Sequence, residues 1–152
     1  MPVRKLKNYL DENKVRYVTI AHSPAYTAQE IAASAHIRGN ELAKTVMIVI
    51  DGRMAMAVVP ATCKVDLDLL KRAVGAGKLE LASEEEFKDM FPDCDVGAMP
   101  PFGNLYGMEV YADNRLAKDK EIAFNAGNHT ELVKMSYDDY RNLATPLMAD
   151  IC

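Results

Sequence analysis

The sequence predicts a single α+β domain built on a mixed, mainly antiparallel β-sheet surrounded by helices. Three observations carry this expectation. The chain has 152 residues, which is room for one compact domain over 1–152 and not comfortably for two. Its 49% hydrophobic and 26% charged residues sit near globular averages, which excludes a disordered or fibrous chain. Helical and strand-like patterns follow one another without a regular βαβ alternation, and no repeat, low-complexity stretch or linker divides them.

The elements follow in order. Val3, Leu6 and Leu10 recur at helical spacing behind Pro2, so the first dozen residues read as an amphipathic helix. Val15 to Ile20 reads as a strand. Thr27-Ala28-Gln29-Glu30 is a capping box that opens a helix through about Ala35, and Gly39-Asn40 starts a short turn ending near Ala43. Thr45 to Ile50 and Met54 to Val59 are apolar strands around the hairpin signal Asp51-Gly52. They show little alternation, which places the hairpin centrally in a sheet covered on both faces. Asp66 to Val74 and Ser83 to Met90 read as helices, the second with a capping box from Ser83 to Glu86. Residues 93–107 are dense in Gly and Pro, hence a loop. Met108 to Tyr111, Glu121 to Asn125 and Glu131 to Met135 read as strands. A helix from Ser136 to Leu143 closes the series.

Several function classes fall away. The longest apolar run, Val46 to Ile50, is far short of the ~20 residues of a membrane span. Charged residues from Arg4 to Glu12 interrupt any signal-peptide core. Cys63, Cys94 and Cys152 cannot all pair with one another and show no CxxC spacing, so a reducing, cytoplasmic home is the simpler expectation. Walker A, GxGxxG, HExxH and GxSxG patterns are missing. His22, His36 and His129 are far apart, and neither a metal nor a cofactor is expected. The net charge of −4 hides an asymmetry. Residues 1–76 hold 11 basic and 7 acidic side chains, or +4, whereas residues 77–152 hold 7 and 15, or −8. A uniformly basic nucleic-acid coat is excluded, but a one-sided positive surface is not.

Three segments can carry chemistry, each with a plainer alternative. Lys44 sits between a turn and an apolar strand. It either snorkels along the sheet edge or aims its charge at a phosphate or carboxylate. The stretch Gly97-Ala98-Met99-Pro100-Pro101-Phe102-Gly103 joins glycines that allow close approach to prolines that lower the ordering cost. It is either a rigid connector or a display of backbone N–H groups for a carbonyl or oxyanion. Asn125-Ala126-Gly127-Asn128-His129 is either a hairpin turn or a pocket rim offering His129 as a ligand or an acid–base group. Cys63 and Cys94 read as structural, since nothing nearby in sequence lowers a thiol pKa.

Taken together, the capped Thr27-Ala28-Gln29-Glu30-Ile31-Ala32 segment, Glu41-Leu42-Ala43-Lys44-Thr45 entering the hairpin, Gly97-x-x-x-Pro101-Phe102-Gly103 and the turn at Gly127 keep a familiar order. This order resembles the YbaK / prolyl-tRNA synthetase-associated editing domain family over roughly residues 20–145. The resemblance implies a hydrolase that cleaves the ester between a wrongly chosen amino acid and the terminal adenosine of a tRNA. It puts Lys44 on the family's invariant lysine, against the tRNA 3′ end. It puts Gly97 and Pro101 on the GxxxP loop, whose amides hold the aminoacyl carbonyl while the terminal 2′-hydroxyl helps activate the attacking group. Met47, Ala98, Met99, Pro100, Phe102, Gly103, Asn125 and Gly127 would then bind the amino acid, with His129 where some members place a pocket histidine. Such editing is needed because a methylene is worth only ~1–3 kcal/mol of discrimination. The implied partners are a mischarged aminoacyl-tRNA and an aminoacyl-tRNA synthetase, with no membrane involved. Two other readings stay open: a non-catalytic tRNA- or synthetase-binding module of this fold, and a small-ester hydrolase.

Overall fold

The computed structural model describes residues 3–22 and 41–152. The expected Thr27–Glu30 capping box and the turn at Gly39–Asn40 lie outside the described residues. Helix α1 (Arg4–Glu12) buries Leu6 and Leu10, spaced by one turn, and leads to β1 (Tyr17–Ala21). Leu42 already forms a bridge, so the chain is extended where a turn was expected to end, and β2 (Ala43–Ile50) follows directly. Asp51 and Gly52 both have positive φ, +48° and +84°. They turn β2 into β3 (Arg53–Pro60), as a two-residue hairpin requires. The Asp66 carboxylate caps α2 (Leu67–Val74) by accepting from the Asp68 and Leu69 amides. The short β4 (Leu79–Leu81) precedes α3 (Glu84–Phe87), where both bonds of the Ser83–Glu86 capping box form. After the long loop come β5 (Val110–Asp113), β6 (Glu121–Asn125) and β7 (Glu131–Ser136). Ser136 caps α4 (Tyr137–Ala144), and β8 (Leu147–Ala149) is the last strand.

The strands form two sheets. One is antiparallel, in the order β1-β7-β6; the other runs β4-β2-β3-β5-β8. In the larger sheet β4, β2 and β3 pair antiparallel, while β3-β5 and β5-β8 pair parallel. A parallel bridge from Leu42 to Ala123 links the sheets. Alternate residues of the central hairpin feed two cores. Met47, Met56 and Val58 pack with Leu6, Leu10, Phe102, Phe124 and Tyr140. Ile48, Ala57 and Val59 pack with Leu70, Tyr111 and Ile151 on the other face. This two-sided burial explains the weak alternation of the hairpin sequence.

Cys63 and Cys152 are bonded, with Cα atoms 5.9 Å apart at a sequence separation of 89, and Cys94 is the free cysteine. The expectation of a wholly reduced set is therefore corrected. The two partners stand far apart in the sequence, and only the fold joins them. In the chain-entropy view, closing so long a loop contributes about 4–5 kcal/mol. Among the described residues no helix is long and apolar enough to cross a membrane.

Candidate functional site

Strand β6 is the axis of the site. Ile122 and Phe124 point into the core shared with Phe102 and Tyr140, so Ala123 and Asn125 stand on the opposite face. Residues paired in a bridge share a face, and a parallel bridge advances both chains the same way. Leu42 and Ala123 are so paired, reinforced by the Ala123 amide donating to the Glu41 carbonyl at 3.0 Å. Two residues further on, Lys44 and Asn125 come up on that same face. The Asn125 Oδ1 is buried there and has no hydrogen-bond partner among the described residues. Met47, three residues beyond Lys44, falls on the other face of β2 and packs in the core.

Lys44 pairs with Val59 across the hairpin and is half-buried. Burial, and after it the ammonium of Lys64, hold its pKa below the usual lysine value. Both effects act against the charged form. Lys44 therefore gives up its proton at lower pH than an exposed lysine.

Beyond β6 the chain turns and meets the loop. The Asp95 amide donates to the Gly127 carbonyl at 2.8 Å, and the Gly127 amide donates to the Ala98 carbonyl at 3.0 Å. His129 Nε2 lies 2.9 Å from the Val96 carbonyl. The start of α1 joins through the Val3 amide, which donates to Ala126 at 2.9 Å. Gly127 has φ +99°, and a Cβ there would collide with Val3 Cγ1. Gly97 has φ +84° and lies open beside His129. Both positions require glycine.

The interior of the loop is fixed from below. Ala98, Met99, Pro100, Pro101, Phe102 and Gly103 are all buried. Phe102 meets Tyr9, Phe124 and Tyr140 edge-on, at centroid distances of 6.1, 5.5 and 5.2 Å. Such pairs contribute about 0.5–1.5 kcal/mol each beyond burial. The Tyr140 hydroxyl donates to the Pro101 carbonyl at 2.9 Å. Met99 and Phe102 of the loop, with Met47, thus belong to the core cluster. Of the loop's residues 97–103 only Gly97 is exposed. Pro100 and Pro101 have no N–H, the Ala98 amide is taken by Asp95, and those of Gly97 and Met99 have no acceptor among the described residues.

The structure thus brings Gly97, Ala98, Gly127 and His129 into one stitched unit at the end of β6, with Asn125 and Lys44 beside it on one face. Sequence reading missed Asp95, which ties the loop to the turn, and the effect of Lys64 on the Lys44 pKa. Cys94 is inert: burial pushes its thiol up to about 11, with Tyr106 hydroxyl 3.5 Å away. Among the described residues no three His, Cys, Asp or Glu side chains cluster to hold a metal. A cleft of about 500 Å³ lined by Arg53, Met54, Met90, Tyr106, Met108 and Glu109 lies at the turn end of the hairpin. It is some six residues of β2 from Lys44, or roughly 20 Å.

Known proteins resemble this chain in sequence and fold. The chain is 29% identical over 140 residues to the prolyl-tRNA editing protein ProX of Acetoanaerobium sticklandii, covering 88% of this chain and 85% of that one. It is 27% identical over 107 residues to a proline–tRNA ligase of Bacillus cereus (strain G9842), covering 70% of this chain but only 19% of the ligase. The fold superposes on the crystal structure of a candidate trans-editing enzyme for prolyl tRNA synthetase with a TM-score of 0.84. That match has 21% identity and covers 98% of this chain and 95% of the other. Residues 22–143 match the model of the aminoacyl-tRNA editing domain, and the chain belongs to that family.

Proposed function

We propose that residues 1–152 act as one editing domain that hydrolyses the ester of a mischarged aminoacyl-tRNA in trans, in the cytoplasm. The observation that carries this reading is the Gly97–Pro101 loop. It is a rigid segment whose Gly97 and Met99 amides have no acceptor among the described residues and which stands beside the face bearing Lys44 and Asn125. An aminoacyl ester is already activated, so orientation and oxyanion stabilisation go far. One preorganised donor is typically worth ~10²–10³ in rate.

In this reading the Lys44 ammonium contacts the phosphate at the 3′ end of the tRNA, and the Gly97 and Met99 amides receive the negative charge that develops on the aminoacyl oxygen. Water adds to the carbonyl carbon, the ester C–O bond breaks, and the terminal ribose oxygen leaves and takes up a proton. The neighbouring ribose hydroxyl of the substrate helps activate the attacking water. Asn125 Oδ1 and His129 face the amino acid; the oxygen of Asn125 is an acceptor suited to a free α-ammonium. Pro100, Phe102 and Gly103 act by holding the loop's shape. The names of the matched proteins point to tRNA for proline as the partner, with a synthetase as the source of the mischarged product.

The test is deacylation of tRNA for proline charged with alanine, cysteine or proline. Wild type is expected to release at least one amino acid, and Lys44→Ala to lose most of kcat/KM. Activity that persists in Lys44→Ala removes the role of Lys44. Tight tRNA binding without turnover on any pair replaces the hydrolase by a binding module.

A further inference from the structure

We propose that Cys63, Cys152 and Arg115 form a thiol–disulfide exchange site, opened by a dithiol reductant, that controls the turn beside Lys44. One Arg115 nitrogen lies 2.8 Å from Cys63 Sγ and 3.5 Å from Cys152 Sγ. A guanidinium so placed stabilises a thiolate on Cys63, which makes Cys63 the better leaving group. Both cysteines are only partly buried, so Cys152 can be approached.

The chemistry is a two-electron exchange. A reductant thiolate attacks Cys152 Sγ, the Cys63–Cys152 bond breaks, and its electron pair leaves on Cys63 as a thiolate facing Arg115. The second thiolate of the reductant then displaces Cys152 from the mixed disulfide. The dithiol is oxidised to its own disulfide, and both cysteines are left reduced.

The surroundings favour a reversible step. The Ile151 amide donates to Asp113 Oδ1 at 2.9 Å, and the Arg115 amide donates to Asp113 Oδ2 at 2.9 Å. The Ile151 carbonyl accepts from the Asp66 amide at 2.8 Å, and Ile151 itself is fully buried. Opening the bond therefore leaves the two sulfurs close together, and re-formation is intramolecular. Cys63 lies in the turn that leaves β3, where the Ala61 amide donates to the Leu42 carbonyl at 2.7 Å and the Cys63 amide to the Pro60 carbonyl at 2.9 Å. Leu42 and Lys44 flank Ala43, so loosening this turn reaches the strand that carries Lys44.

The test needs no deacylation, so its outcome is independent of the proposed function. The folded chain is treated with dithiothreitol under native conditions, and samples are alkylated and weighed by intact mass spectrometry. Wild type is expected to gain two alkyl groups relative to an unreduced control. Arg115→Gln should react slower, by roughly tenfold, and Arg115→Lys should recover most of the rate. Hydrogen exchange at the Ala61 and Cys63 amides of wild type should speed up on reduction. Equal rates in folded wild type and Arg115→Gln overturn the proposal. So does a bond that opens only on unfolding, or unchanged exchange in reduced wild type, which requires no variant.

Discussion

The Gly97–Gly103 loop and the surroundings of Lys44 flank the same strand, β6, but different forces hold them. The loop is fixed by packing and backbone hydrogen bonds: an aromatic cluster beneath Phe102, the Tyr140–Pro101 bond, and the stitches to Gly127 and His129. Lys44 is governed by electrostatics, through partial burial and the charge of Lys64. The difference teaches a division of labour. Under the proposed function, groups that meet a developing oxyanion gain from rigidity, whereas a lysine that meets a phosphate acts through its charge and tolerates some freedom.

Mutations on the loop side should therefore act first on stability and geometry. Phe102→Ala removes a fully buried ring and is expected to cost about 3–5 kcal/mol, read as a lower urea midpoint. Gly127→Ala forces a side chain into Val3 at φ +99°. It should cost roughly 2–4 kcal/mol from strain and overpacking together, measurable in the same assay. Tyr140→Phe leaves the buried Pro101 carbonyl without its donor and should cost about 1–3 kcal/mol, with a rise in hydrogen exchange around the loop.

On the Lys44 side the expected effects are smaller and electrostatic. Lys64→Ala removes a like charge, so the Lys44 pKa should rise and the alkaline limb of the activity profile should move to higher pH. Stability should barely change, because Lys64 is exposed. A shift of that limb to lower pH would break the comparison, since it would mean that Lys64 does not act on Lys44 as a like charge. Raised salt should weaken tRNA binding while leaving the loop's stability untouched.

What could be read from the sequence divides along the same line. The Ser83 capping box, the helix start at Ser136 and the Asp51–Gly52 turn are local chemistry, and each forms where expected. The loop over residues 93–107 was legible because a high density of glycine and proline marks irregular backbone. The three-residue strands β4 and β8 carry too few residues for a periodic signal, and their pairing is set by neighbours far along the chain. The same holds for the split into two sheets, for the 89-residue Cys63–Cys152 link and for Lys64 beside Lys44. The separation of Lys44 and Met47 onto opposite faces follows from their three-residue spacing once that segment is read as a strand. Met47 therefore supports the loop from the core instead of sharing a surface with Lys44.

The most direct measurement is single-turnover deacylation by wild type and Gly97→Ala, each first shown to be folded by its thermal midpoint. Alanine keeps the amide but cannot easily hold φ +84°, so it redirects the donor without deleting it. Wild type should hydrolyse a mischarged tRNA for proline, and Gly97→Ala should fall by about 10²-fold, in line with the loss of one oxyanion donor. A folded Gly97→Ala that cleaves at the wild-type rate would contradict the role given to the loop.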